Sequence, residues 1–308
     1  MSLFQKSEGK FNRSCPLSVK NAPVIDYKNI MKKTAIGTGA NKGLGLSVAQ
    51  HLIQSNYKVV LACRDKSKGQ KAVEFLGKNA KLLELDLSSL ESINHFTTQI
   101  SQNYDGIDIL YNNAGLIYQD FNLTEEGFES MIAVNYFGAY RLTLKLLDNL
   151  RAKEGRMVQV SSLSMYLARK LQLEDMHVEK NFSPSSRYNL TNLCRSMFAY
   201  ELEKRIDNKV SITVAHPGIT KSRQSRPHEV SDTRKSAFSY ISTDIKTGTD
   251  PILEAINAKA VSAQKTFAPR IFGIYGKPTT KKLNKLVYRD DLRQKLWSYT
   301  AEELGLDL

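Results

Sequence analysis

From Lys33 onward the chain alternates short apolar runs with longer amphipathic stretches. K-T-A-I-G (33–37), K-V-V-L-A-C (58–63), K-L-L-E-L-D-L (81–87), I-D-I-L-Y-N-N-A (107–114), R-M-V-Q-V-S-S (156–162) and V-S-I-T-V-A-H (210–216) read as strands. They are short and close to continuously apolar, as strands buried on both faces are. Helical stretches fall between them: 44–55, a charged segment through Lys71 to Leu76, 93–100, a long one over 128–150, and one opening at Tyr188. Strands alternating with helices predict a parallel sheet covered on both faces, an α/β architecture.

Beyond Gly218 the rhythm breaks. Residues 219–249 are rich in Ser, Thr, Lys and Arg. A helix is predicted from Pro251 with Asp250 as its cap. F-A-P-R-I-F-G-I-Y-G (267–276) reads as a last strand or turn, and Asp290 to Glu303 as a closing helix. Residues 31–308 therefore form one predicted domain, with 219–308 as an appendage lacking a core of its own. Residues 1–30 are polar and irregular and read as a tail.

Composition changes this picture in three places. The chain has 308 residues, 41% of them hydrophobic, enough to bury one large core. Its net charge of +13 favours an anionic partner, and no interleaved aromatic and basic motif or helix-turn-helix pattern points to nucleic acid. A phosphate-bearing cofactor is the more economical partner. The basic residues Lys277, Lys281, Lys282, Lys285, Arg289, Arg293 and Lys295 read as a solvated face. The three cysteines, Cys15, Cys63 and Cys194, have no metal-ligand spacing, and their odd number argues against a disulfide framework; a reducing cytoplasm is expected. No apolar run has the length of a membrane span and no signal-peptide core is present, so no membrane partner is expected.

The first strand runs into T-G-A-N-K-G-L-G, Thr38 to Gly45. Glycine there permits a tight turn and close backbone approach, and a helix N-terminus offers unpaired N–H groups to a phosphate. Gly39, Asn41, Lys42, Gly43, Leu44 and Gly45 are accordingly the candidate phosphate cradle. The second strand ends at Cys63-Arg64-Asp65, where a ribose-reading residue is expected. Arg64 favours the 2′-phosphate of NADP, Lys42 adds a second cation, and Asp65 argues the other way.

Together these residues resemble the short-chain dehydrogenase/reductase family. The resemblance spans Thr34 to Gly218 and rests on motifs in the expected order. They are T-G-A-N-K-G-L-G, Asp86-Leu87, N-N-A-G (Asn112 to Gly115), Asn135 in V-N-Y-F-G, Ser162 in V-S-S, Tyr188, and H-P-G (His216 to Gly218). The insertion between Ser162 and Tyr188 and the later Y-G-K-P are similar to a branch that includes retinol dehydrogenases and carbonyl reductases. The resemblance implies a Rossmann-type doubly wound parallel sheet and NADP(H)-linked interconversion of a small-molecule carbonyl compound and its alcohol, with 219–308 on the substrate side. It implies that Asp86 and Leu87 hold the adenine, that Asn113, Ala114 and Gly115 line the adenosine side, and that Pro217, Gly218 and Thr220 meet the nicotinamide end. Family members are often dimers or tetramers, so a homo-oligomer is a further expectation. His216 reads as a turn residue.

The same resemblance gives Ser162 the substrate oxygen, Tyr188 the proton, and Asn135 a water in the proton relay. It expects a lysine four residues after the tyrosine, to bind ribose and to make the phenol more acidic. This chain has Asn192 there. The i, i+4 spacing keeps Asn192 on the face of Tyr188, and its amide can bond ribose hydroxyls without supplying a charge. An ordinary tyrosine titrates near about 10, so reduction, which needs the neutral phenol, suffers less than oxidation. Carbonyl reduction is the expected direction; the alternative is a cofactor-binding sensor without efficient turnover. Arg195, on the same face about 10 Å further along the helix, is long enough to reach back as a substitute cation, but reads first as a helix-face arginine pointing elsewhere. Arg187 should point away from Tyr188, and the pair Tyr200 and Lys204 is rejected as too far along.

Overall fold

A computed structural model describes residues 33–152, 154–174, 176–206, 209–221, 242–259 and 262–306. The expected tail (1–30), Cys15 and most of the basic stretch after Ile219 lie outside the described residues. The strands β1 (Thr34–Thr38), β2 (Lys58–Cys63), β3 (Ala80–Glu84), β4 (Ile109–Asn112), β5 (Arg156–Val160), β6 (Ser211–Ala215), β7 (Lys265–Ile271) and β8 (Tyr275–Lys282) make one sheet. Their order is β3-β2-β1-β4-β5-β6-β7-β8. All pairs are parallel except the β7–β8 hairpin. The predicted doubly wound sheet is thus present, and its order reverses between β1 and β4. Ligands of such sheets sit at the carboxyl ends beside that reversal.

Helices cover both faces. The helices α1 (Gly43–Gln54) and α2 (Lys66–Leu76) bury Val48, Ala49, Leu52 and Ala72 against Ala35, Val59 and Leu61 on one side. On the other, α3 (Leu90–Asn103) and α6 (Pro184–Arg205) bury Ile93, Phe96, Leu193, Met197 and Phe198 against Ile36, Val60 and Leu110. Local chemistry sets several starts. Ser89 Oγ accepts the Ser92 N–H at 3.1 Å to cap α3, and Pro184 sits in the first turn of α6, where its missing N–H costs nothing.

The predicted helix over 128–150 is three pieces in one path: α4 (Ser130–Ile132), a π turn (Ala133–Phe137) and α5 (Gly138–Leu146). Glu129 caps the start, accepting the Met131 and Ile132 N–H groups at 3.0 Å each. Asn135 lies inside the π turn, and single π turns inside helices are frequent at functional sites.

Two expectations need correction. The helix predicted from Pro251 is α7 (Ile245–Asn257), which begins six residues earlier. Its cap is Asp244, accepting the Thr247 N–H at 2.6 Å. The proline signal misled because Pro251 is tolerated inside the helix, where apolar neighbours Ile252, Ala255 and Ile256 are buried against the sheet. Arg293 does not belong to the solvated basic face. It lies in α8 (Asp290–Glu303), is 3% exposed and is paired with Glu201 at 3.2 Å.

At the head of α5, a side chain on Gly138 would run into the Leu87 carbonyl and Cβ. The connection after β3 and the π turn therefore touch with no room for a methyl group. Gly138→Ala is expected to lower stability by about 2 kcal/mol or more, as overpacking against backbone does. Chemical denaturation checks this, and an unchanged midpoint would contradict the contact.

Candidate active site

The phosphate cradle forms as β1 ends and α1 begins. Gly39 and Gly43 have φ of 62° and 55°, the left-handed region that favours glycine. A side chain at Gly45 would lie 2.6 Å from the Gly39 carbonyl and 2.9 Å from the Ala40 Cα, so only glycine lets the start of α1 pack this closely on the loop. Lys42 is the N-cap, exposed, with no side-chain hydrogen bond to the helix. The first bond of the helical pattern is Leu46 N–H to Lys42 O at 3.2 Å. This leaves the N–H groups of Gly43, Leu44 and Gly45 at an open helix end, where a phosphate is favoured. A dinucleotide pyrophosphate fits this cradle.

Thr38 ties the two walls of the crevice together. Its hydroxyl oxygen accepts the N–H of Asn113 at 3.0 Å and of Ala114 at 2.9 Å. Asn113 Nδ2 donates back to the Thr38 carbonyl at 3.0 Å. The sequence reading took Thr38 only as the first letter of a glycine motif; its hydroxyl fixes N-N-A-G beside that motif.

At the end of β2, Asp65 is occupied. It caps α2, accepting the Lys68 N–H at 2.9 Å, and its carboxylate pairs with the Lys68 ammonium. The hydrogen bond from Lys68 holds the Asp65 carboxyl below its ordinary range. Arg64 instead stands 62% exposed, with Nη1 3.6 Å from Asp86 Oδ2. Asp86 Oδ1 accepts from both the N–H and the hydroxyl of Ser88, at 2.9 and 2.6 Å. Leu87 is buried against Gly138.

The chemistry-bearing side chains converge on α6. A short 3-10 turn (Leu163–Leu167) follows β5, and Ser162 caps it, its Oγ accepting the Ser164 N–H at 3.2 Å. Ser161 Oγ donates to the Asn192 carbonyl at 3.0 Å, and Asn192 Nδ2 donates to Ser164 Oγ at 3.3 Å. These bonds hold the turn headed by Ser162 against α6 at Asn192; Tyr188, one helical turn earlier, is partly buried. Asn192 itself is fully buried. Its amide N–H also bonds the Tyr188 carbonyl at 2.9 Å, while its Oδ1 has no hydrogen-bond partner. Asn135 clasps Leu116, accepting its N–H at 2.8 Å and donating to its carbonyl at 2.9 Å. A longer contact, 3.4 Å, joins Asn135 Nδ2 to Thr191 on α6.

His216 lies at the turn after β6 and accepts the Gly218 N–H through Nδ1 at 3.3 Å. Burial pushes its imidazole down to about 4, so it is neutral and holds the H-P-G turn. Gly218 has φ of 77°, and Pro217 and Thr220 are buried beside it. In the 3-10 turn, Tyr166 and Leu167 are exposed, but Met165 is fully buried under Ser161 and Ser196.

Two features lay outside the sequence reading. Glu129, fully buried, faces Arg187 at 3.9 Å, and its own N–H donates to His177 Nδ1 at 3.1 Å. Arg187 also bonds the Met176 carbonyl. The residue beside Tyr188 is thereby anchored to two distant segments, which no local pattern announces. The second is a correction: Arg195 does not point elsewhere. It is 4% exposed, and its Nη2 donates to the carbonyls of Ala114 at 2.5 Å and Asn112 at 3.4 Å.

Among the described residues no cluster of three or more metal-ligating side chains occurs, and no helix is long and apolar enough to cross a membrane. The short chain dehydrogenase family profile matches residues 33–173. Retinol dehydrogenase 14 of Mus musculus is 30% identical over 226 residues, covering 68% of each chain. Polyprenol dehydrogenase of Homo sapiens is 29% identical over 294 residues, covering 89% of this chain and 86% of its own. The crystal structure of an uncharacterised protein from Mycobacterium paratuberculosis superposes with a TM-score of 0.75 at 28% identity, covering 89% of this chain and 94% of that one. With the sheet order and glycine cradle in place, the chain belongs to the short-chain dehydrogenase/reductase family, on its retinol dehydrogenase branch.

Proposed function

We propose that this chain is an NADP(H)-dependent reductase that converts an aldehyde or ketone to its alcohol. The observation that carries the cofactor half is the division of labour after β2. Asp65 is committed to capping α2 and pairing with Lys68, while Arg64 stands exposed beside Asp86. An acidic side chain turned to the ribose would favour NAD, whereas a guanidinium accommodates the 2′-phosphate. Exposed Lys42 adds a second cation at the cradle. Gly39, Asn41, Gly43, Leu44 and Gly45 would hold the pyrophosphate. Asp86, Leu87 and Asn113 to Gly115 would hold the adenosine side, and Pro217, Gly218 and Thr220 the nicotinamide end.

The chemistry that such a cofactor supplies when bound is hydride transfer at its nicotinamide ring. The protein's own task is the carbonyl oxygen and its proton. Ser162 Oγ already accepts the Ser164 N–H, so its hydroxyl hydrogen is left to donate to the substrate oxygen. Tyr188 gives that oxygen its proton as negative charge develops. The neutral phenol is the form that reduction uses, which favours reduction at a site with an amide, Asn192, in place of lysine. Asn135 keeps the Leu116 peptide and the π turn in register with α6.

Exposed Leu167 and Phe272, at 68% and 85%, favour a lipophilic carbonyl substrate. The β7–β8 turn brings Gly273 against His216 and Leu163, which places this apolar surface beside the H-P-G turn. The relatives' names mention retinol and polyprenol, so retinaldehyde and a polyprenal head the panel, with benzaldehyde and a quinone as less lipophilic arms.

NADPH consumption should be detectable with at least one of these carbonyls. Tyr188→Phe should lower kcat/KM about a hundredfold or more while leaving NADPH affinity nearly unchanged. Tight NADPH binding with no turnover above that variant would make the chain a cofactor-binding sensor instead. Arg64→Ala should weaken NADPH binding about tenfold, or roughly 1.4 kcal/mol, and leave NADH binding alone. Equal losses for the two cofactors would contradict the assignment of Arg64.

A further inference from the structure

Among the described residues four arginines are buried, and three of them have carboxylate partners. Arg141 pairs with Glu126, Arg187 with Glu129 and Arg293 with Glu201. Arg195, the fourth, has no carboxylate within ion-pair distance among the described residues. Its Nη2 reaches two main-chain carbonyls, and its Nε has no hydrogen-bond partner. A buried charge without a counter-ion is costly, and such groups concentrate at functional sites.

Its place in the site is specific. Arg195 lies seven residues after Tyr188, about two turns along the same face of α6. Its Nη1 is 3.2 Å from the point that a Gly115 side chain would occupy, and Asn135 Oδ1 is 3.6 Å from that same point. Asn135 in turn contacts Thr191, whose hydroxyl bonds the Tyr188 carbonyl. The guanidinium therefore shares one buried cluster with N-N-A-G, the π turn and the α6 main chain at Tyr188.

We infer that Arg195 supplies the positive charge missing at position 192, and that this charge balances Tyr188 when its proton passes to the substrate oxygen. The inference rests on the reading of Tyr188 as the proton donor. The proton moves from Tyr188 Oη to the carbonyl oxygen, the phenolate left behind is balanced by the guanidinium, and solvent returns the proton. Arg195 is a positioning residue, acting through Tyr188. The other cation near this cluster on α6 is Arg187, which Glu129 faces at 3.9 Å and which acts on Cys194. β4 and its exit present Asn112, Asn113 and Ala114; the π turn presents Asn135; the segment after β5 presents Ser161, Ser162 and Ser164. On α6 itself lie Thr191, Asn192 and Cys194, whose thiol burial pushes well up and keeps neutral. Burial pushes the Arg195 guanidinium down to about 10, and its charge interaction with Tyr188 acts the other way. It remains a cation at neutral pH. A neutral amide at 192 also becomes intelligible, because a lysine there would add a second cation to the same cluster.

The test follows the tyrosine ring signals of the cofactor-free protein by carbon NMR, with Tyr188 assigned by its loss in Tyr188→Phe. In Arg195→Gln or the similarly shaped Arg195→Met, the pH midpoint of Tyr188 should rise by about one unit or more. Arg195→Lys should keep it near the wild-type value. Reduction needs the protonated phenol and fails as pH rises through the midpoint, so its alkaline limb should move up with it. Oxidation of retinol at neutral pH needs the phenolate and should fall about tenfold more than reduction of retinaldehyde. An unmoved midpoint in folded Arg195→Gln overturns the inference. Should neither uncharged variant fold, Asn192→Lys combined with Arg195→Gln restores one cation and should keep the wild-type midpoint. A midpoint a unit or more lower in that double variant would mean that the native site lacked a cation, and also overturns it. If Tyr188→Phe retains full reduction, the reading of the site fails; if only the midpoint stays put, the role of Arg195 alone fails.

Discussion

The site depends on how α6 lies across the carboxyl ends of β4 and β5. Two sets of bonds fix that placement: Ser161 Oγ to the Asn192 carbonyl, and the Arg195 guanidinium to the carbonyls of Asn112 and Ala114. The first holds the turn after β5, headed by Ser162, against α6 at Asn192. The second sets the same helix against N-N-A-G, which Thr38 ties to the phosphate cradle. A displacement of α6 would break both sets of bonds at once, so the turn after β5, the helix and N-N-A-G are held as one unit.

The buried network at the start of α6 serves the same end. Glu129 caps α4 and faces Arg187, while Arg187 reaches the Met176 carbonyl. Tyr188 follows Arg187 directly, so its place on the helix is tied to the start of α4 and to the segment at Met176. Breaking one member of such a group leaves the others buried without partners, which is where the stability of a polar network is most exposed.

How much of this was legible in the sequence depended on whether the deciding forces were local. β2 was read to its residue boundaries from K-V-V-L-A-C, since continuous burial writes itself into a continuous apolar run. The glycine cradle was legible because backbone geometry at Gly39 and Gly43 demands one residue type. The start of α7 was not, because Asp244 and Asp250 are equally good caps in isolation and only packing chooses between them. Arg64 was preferred over Asp65 on charge alone, because the bond from the Lys68 N–H that occupies Asp65 is formed by the turn into α2. Arg195 was misread for the same reason: a helical wheel places an arginine on a face, and nothing local says that two carbonyls from β4 and its exit await it.

The central claim is that this constellation passes hydride and proton to a carbonyl although position 192 carries no charge. Mass spectrometry of the product alcohol, after incubation of each carbonyl with NADPH deuterated at the transferring carbon, tests it most directly. The account predicts deuterium in the alcohol from the wild-type protein and almost none from Tyr188→Phe. A protein that binds the deuterated cofactor tightly yet labels no alcohol from any carbonyl would contradict it.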